Sequence, residues 1–111
     1  MNPYTSLSKN DTICAMSTPP GISAIAVIRL SGPRSVSIAG SFFKSPKANT
    51  TVDDFATHTA HFGFFATESE VIDEVVLTVF KASHSYTGDD IVEISCHGSE
   101  YVQQRMLEVL I

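Results

Sequence analysis

Two charged residues interrupt runs that otherwise read as β-sheet core: Arg29 within AIAVIRL (24–30) and Glu93 within IVEISCH (91–97). Strand alternation places Arg29 on one face with Ile25 and Val27. It places Glu93 on one face with Ile91, Ser95 and His97, while Val92, Ile94 and Cys96 point the other way. Two readings fit. The plain one is an edge-strand charge or a surface salt bridge. The chemical one is a ligand pocket, in which a carboxylate accepts two N–H bonds from a 2-amino-pyrimidinone edge and a guanidinium grips a carboxylate or carbonyl oxygen. A pterin offers the first partner, and the tail of a folate offers the second.

The other reactive groups point to less. His58 and His61 are three residues apart, a spacing that suits a helix face but splits them across a strand. Cys96 and His97 are adjacent and also point apart on a strand. Zinc needs four convergent ligands, or three and a water, so no metal site is expected. The chain contains no GxxxxGK[ST] phosphate loop, no GxSxG elbow and no HExxH pair. The loop His84-Ser85-Tyr86-Thr87-Gly88-Asp89-Asp90 leads into the Glu93 strand. It reads as a plain turn, as a pocket rim or as a subunit contact.

The elements that must hold these residues follow from pattern. TICAM (12–16) and Ala24–Leu30 read as strands, separated by the breaker STPPG (17–21). Ser31-Gly32-Pro33 opens a helix with Val36, Ala39, Phe42 and Phe43 on one face. Ser45–Phe55 reads as a polar loop, His58–Ala66 as a strand and TESE (67–70) as a turn. Val71–Lys81 is the strongest strand; its apolar residues on both faces predict a central strand covered on both sides. Ile91–His97 is a further strand. Gly98-Ser99 opens a last helix with Val102, Met106, Val109 and Leu110. The order predicts an α+β fold, a mixed β-sheet packed against two or three helices.

Composition sets the outer bounds. One domain fits 111 residues, 43% of them hydrophobic and 17% charged. The net charge is −5, and from Asp53 to Glu100 Lys81 is the only base. A nucleic-acid surface needs clustered Lys and Arg, so that half of the chain would repel phosphates. Cys14 and Cys96 lack CxxC spacing and read as reduced, buried thiols. The sequence MNPYTSLSKN (1–10) has no apolar signal core and reads as a flexible N-terminus. No run approaches a membrane span, and the expected compartment is the cytoplasm. The apolar end LEVLI carries no helix-stopping Gly, Asn or basic residue, and predicts that the natural chain continues past Ile111.

The motifs DTICAMSTPPG, IAVIRLSGP and VIDEVVLTVFKASHSYTGDDIVEISCHGS resemble the N-terminal domain of the MnmE (TrmE) family of tRNA-modifying GTPases from Asp11 onward. The resemblance implies a folate-binding and dimerisation domain over residues 11–111, similar to the folate-binding domain of aminomethyltransferases. It implies a homodimer and binding of a tetrahydrofolate derivative, 5-formyl- or 5,10-methylene-tetrahydrofolate. Arg29 and Glu93 match folate-contacting positions of the family; no catalytic residue and no metal ligand is implied here. GTP, magnesium and potassium belong to the full-length protein alone. With its partner MnmG, that protein adds an aminomethyl or carboxymethylaminomethyl group to C5 of the wobble uridine of certain tRNAs. The tRNA is met through the full complex rather than by this domain. One local departure is Ile22-Ser23-Ala24, where the family carries a Gly-rich run after PPG; branched residues stiffen that loop. The competing expectations are a dimerisation module without ligand and a stand-alone folate enzyme, the latter opposed by length.

Overall fold

The computed structural model describes residues 12–19, 21, 24–82 and 89–111. Its elements are β1 (Ile13–Met16), β2 (Ile25–Ser31), α1 (Ser35–Phe42), β3 (Phe43–Lys44), a 3-10 turn (Val52–Asp54), β4 (Thr59–Ala66), β5 (Val71–Phe80), β6 (Ile91–His97) and α2 (Glu100–Leu110). The strands form one sheet in the order β1-β2-β6-β5-β4-β3. The α+β expectation holds, and the sheet type needs correcting. Every pairing is antiparallel, where a mixed sheet was expected. The physical reason is connectivity: short links join β1 to β2 and β4 to β5, and short links return the chain antiparallel, whereas parallel neighbours need a long crossover.

Both helices lie on one face. Alternation sends Ala26, Ile28 and Leu30 of β2, Val75, Leu77 and Val79 of β5, and Val92, Ile94 and Cys96 of β6 into that layer. Ala39 of α1 and Met106 and Leu110 of α2 close over them. Each Val, Leu, Ile or Met among them contributes about 1.5–3 kcal/mol by leaving water. Helix α2 starts where Ser99 accepts the Val102 N–H at 3.2 Å, and Glu100 in its first turn suits the positive end of the helix dipole.

Among the described residues, no helix lies over the opposite face of the sheet. This overturns the expectation that β5 is covered on both sides. β5 is interior in the sheet, yet Val76 is 41% exposed, as are Phe62 at 52% on neighbouring β4 and Ile25 at 62% on β2. Other differences are local. Gly32 takes φ +139°, so α1 begins only at Ser35. Phe43 leaves the helix to pair with Phe65, because Gly63 leaves room for its ring. The predicted polar loop 45–55 buries Val52 and Phe55. His58 sits before β4 with φ +61°. The expectations for residues 1–10, for Ile22 and Ser23, and for most of the 84–90 loop fall on segments outside the described residues.

Candidate functional site

Arg29 and Glu93 come together on the open face. β2 pairs with β6 so that Arg29 stands directly across from Glu93, the short cross-strand relation in which side chains meet. Arg29 donates from Nε at 3.1 Å and from a terminal guanidinium nitrogen at 2.7 Å, both to Oε2 of Glu93. No described residue donates to the other carboxylate oxygen, Oε1. The Arg29 side chain is 48% exposed and that of Glu93 25%. Thr78 of β5 flanks Glu93 on one side, and Ala15 of β1 flanks Arg29 on the other. A concavity of about 400 Å³ opens beside the guanidinium, lined by Ile13, Ala15, Ser17, Arg29 and Ser31.

The strands that carry the pair are pinned at both ends. At the Ser31 end, the Gly32 N–H donates to Asp90 O at 2.9 Å, and the buried Ser35 hydroxyl lies 2.8 Å from the same carbonyl. At the Ile25 end, the Thr18 hydroxyl accepts the Val27 N–H at 3.2 Å, and Gly98 N–H donates to Ala24 O at 3.2 Å. Gln103 is 8% exposed, and its amide donates to Gly21 O at 3.0 Å and to Gly98 O at 2.9 Å. One helix residue thus ties the turn before β2 to the end of β6. Sequence reading missed Gln103, although a polar residue on the apolar helix phase of Met106 and Leu110 is a readable signal.

The remaining candidates separate. His61 stacks on Phe55 with ring centroids 3.5 Å apart, and His58 packs edge-on to Phe80. Cys96 is buried while His97 is exposed, so the two point apart as alternation requires. Burial pushes the Cys14 thiol up to about 11. Burial does the same to Cys96, also to about 11, with the Asp73 carboxylate adding to it. Both thiols stay protonated near neutrality and are poor nucleophiles. Among the described residues, no three His, Cys, Asp or Glu side chains converge. No helix among them is long and apolar enough to cross a membrane.

One antiparallel sheet with two helices on one face, and an acid–base pair on the other, defines a two-layer α+β module. The family model described as GTP-binding protein TrmE N-terminus matches residues 12–111, and the chain belongs to that family. It is 50% identical over 101 residues to the tRNA modification GTPase MnmE of Flavobacterium johnsoniae, covering 91% of this chain and 22% of that protein. It is 44% identical over 111 residues to the protein of the same name from Cytophaga hutchinsonii, covering 100% of this chain and 23% of that protein. The corresponding protein of Chlamydia felis is 43% identical over 103 residues, covering 93% of this chain and 22% of its own length. The chain spans about a fifth of the length of these relatives.

Proposed function

We propose that the chain is a tetrahydrofolate-binding and homodimerising module of a GTPase that modifies tRNA. The observation that carries the binding half is the Arg29–Glu93 geometry. A 2-amino-4-oxo-pyrimidine edge presents two N–H donors beside a carbonyl acceptor. Glu93 has Oε1 free of described donors to accept from such an edge. Arg29, held 2.7 Å from Oε2, places guanidinium N–H groups beside it for the carbonyl. The pair therefore matches a pterin edge without leaving the strands that hold it. Bound there, a 5-formyl- or 5,10-methylene-tetrahydrofolate would supply a one-carbon unit; the residues of this chain bind and orient it.

The relatives' name supports the wider reading. In it, GTP, magnesium and potassium serve other parts of the longer protein, and the reaction with MnmG places an aminomethyl or carboxymethylaminomethyl group on C5 of the wobble uridine. The acidic span 53–100 suits tRNA contact through the full complex rather than here. A cytoplasmic setting accords with that chemistry.

A second reading, dimerisation without a ligand, is favoured by the exposed apolar Ile25, Phe62 and Val76, since area of this kind marks interaction sites. Calorimetry of the chain with 5-formyltetrahydrofolate, beside a full-length MnmE protein, tests the first reading. Wild-type binding that Glu93→Gln weakens at least about tenfold is expected, from the loss of charge-assisted bonds. Unchanged affinity in Glu93→Gln sinks the pocket. Analytical ultracentrifugation separates the readings: a dimer that ignores folate supports the second, and a monomer counts against both.

A further inference from the structure

A second acid–base pair lies at His97, four residues from Glu93 along β6 and on the same strand phase; Asp73 reaches it from the Val75–Leu77 phase of β5. Asp73 of β5 grips His97 twice. Its Oδ2 accepts the His97 backbone N–H at 2.8 Å, and its Oδ1 lies 2.7 Å from the His97 Nδ1. The carboxylate side chain is only 11% exposed, whereas the imidazole is 68% exposed. An ionised carboxylate only accepts, so the pairing puts the proton of the neutral ring on Nδ1. The lone pair then resides on Nε2, at the exposed end of a ring whose orientation is fixed. A carboxylate that orients an imidazole in this way is the arrangement used wherever the far nitrogen must accept or ligate.

What the ring borders is specific. A concavity of about 230 Å³ is lined by Ile25, Phe62, Glu74, Val76, Ser95 and His97, with Val75 and Cys96 also contributing to its wall. Its walls are mainly apolar, and it begins one cross-strand row beyond Glu93, at Val76–Ser95. Ser95 is the small residue between Glu93 and His97 on that face. It leaves a trough along β6, flanked by Val27 of β2 and Val76 of β5, its cross-strand neighbours. Four residues of strand span about 13 Å from Glu93 to His97.

We infer that His97, oriented by Asp73, is a binding residue for the arylamide part of the same ligand, accepting an aryl-amine or aryl-amide N–H on Nε2. The aromatic ring of that part lies beyond the heterocycle, in the apolar concavity beside His97. The inference rests on the folate reading and extends it: Glu93 selects the heterocycle, and His97 selects what is joined to it. A pterin linked through an amine to a benzoyl amide has the required order of groups, with a donor edge at one end, an aromatic ring and further N–H groups beyond. Asp73 is a positioning residue, acting only through His97.

The test compares two ligands on the chain, 5-formyltetrahydrofolate and the fragment 6-methyltetrahydropterin, which lacks the arylamide. His97→Ala is expected to weaken the folate about fivefold to tenfold, the loss of one hydrogen bond and its packing, and to leave the fragment unchanged. His97→Gln, whose Oε1 can accept, recovers most of that loss. Asp73→Asn lowers folate affinity in the same direction by releasing the tautomer. Glu93→Gln weakens both ligands. Long-range 15N–1H spectra give a readout independent of the variants' folding: Nδ1 protonated in the free wild type, and Nε2 shifted by the folate but not by the fragment. The inference is overturned if His97→Ala affects both ligands equally or neither, or if it moves only the monomer–dimer equilibrium. If the wild type binds neither ligand, the folate reading itself fails and this one with it.

Discussion

The Arg29–Glu93 pair can be asked directly whether it exists for stability. Arg29→Met keeps most of the stem volume, Glu93→Gln keeps the shape, and with the double variant they close a cycle that isolates the pair's coupling. The structure sets the magnitude. Both bonds end on one oxygen, Oε2, instead of forming a two-oxygen fork, and the side chains are 48% and 25% exposed. Pairs in such surroundings couple by about 0.2–1 kcal/mol, because water competes for both charges and ordering long side chains opposes the gain. The expected coupling is therefore below about 1 kcal/mol. It should shrink further in 1 M salt, where the screening length falls to about 3 Å. Urea unfolding of the four proteins measures it, with equal m-values confirming that each variant unfolds from the same compact state. A coupling of about 3 kcal/mol or more would match the penalty of breaking a buried pair. That result would make the pair a structural clamp and remove the reason for reading Glu93 as placed for a ligand.

Two further outcomes follow from the core. A methyl group added at Gly63 would sit inside van der Waals contact of the Phe43 ring and 2.7 Å from the Lys44 carbonyl oxygen. Gly63→Ala should cost about 1–3 kcal/mol by overpacking. A Phe43→Leu background should recover only part of it, since the carbonyl is backbone and cannot swing away; chemical denaturation reads both, and a neutral Gly63→Ala would refute the close approach of β3. The buried thiols predict an alkaline limit. Their folded values of about 11 lie above the ordinary 9.0. Between those values the unfolded chain loses protons that the folded chain keeps, so stability falls as pH rises from about 9 to about 11. Melting temperatures across that window should fall less steeply in Cys14→Ala/Cys96→Val than in the wild type. Parallel slopes would show that other groups carry the alkaline loss.

Strand alternation made much of this legible. It placed Glu93, Ser95 and His97 on one face of β6 and Cys96 on the other, because a period of two survives any tertiary context that keeps the strand. It could not say that Arg29 meets Glu93, since β2 and β6 are neighbours only through a pairing 64 residues apart in sequence. Asp73–His97 was hidden for the same reason, and Phe43 fitted the helix phase of Val36 and Ala39 until its pairing with Phe65 prevailed.

The failure at β5 is the most instructive. The alternation of Val71–Lys81 is apolar on both sides, and a sequence with that pattern ordinarily lies between two layers. The described residues supply one. Val75, Leu77 and Val79 are buried beneath the helices, while Val76, with Phe62 and Ile25 beside it, remains in water. Leaving these groups exposed forfeits about 25 cal/mol for each Å² of apolar surface, and apolar area gathered around one concavity is the kind that marks an interaction surface. The pattern makes sense if the second layer comes from outside the sheet: the aromatic part of a ligand along the Glu93–Ser95–His97 trough, a second copy of the module over it, or both stacked in turn. The described residues bury only the Val75–Leu77–Val79 side of β5, so the apolar alternation marks a surface for contact rather than a strand already covered twice.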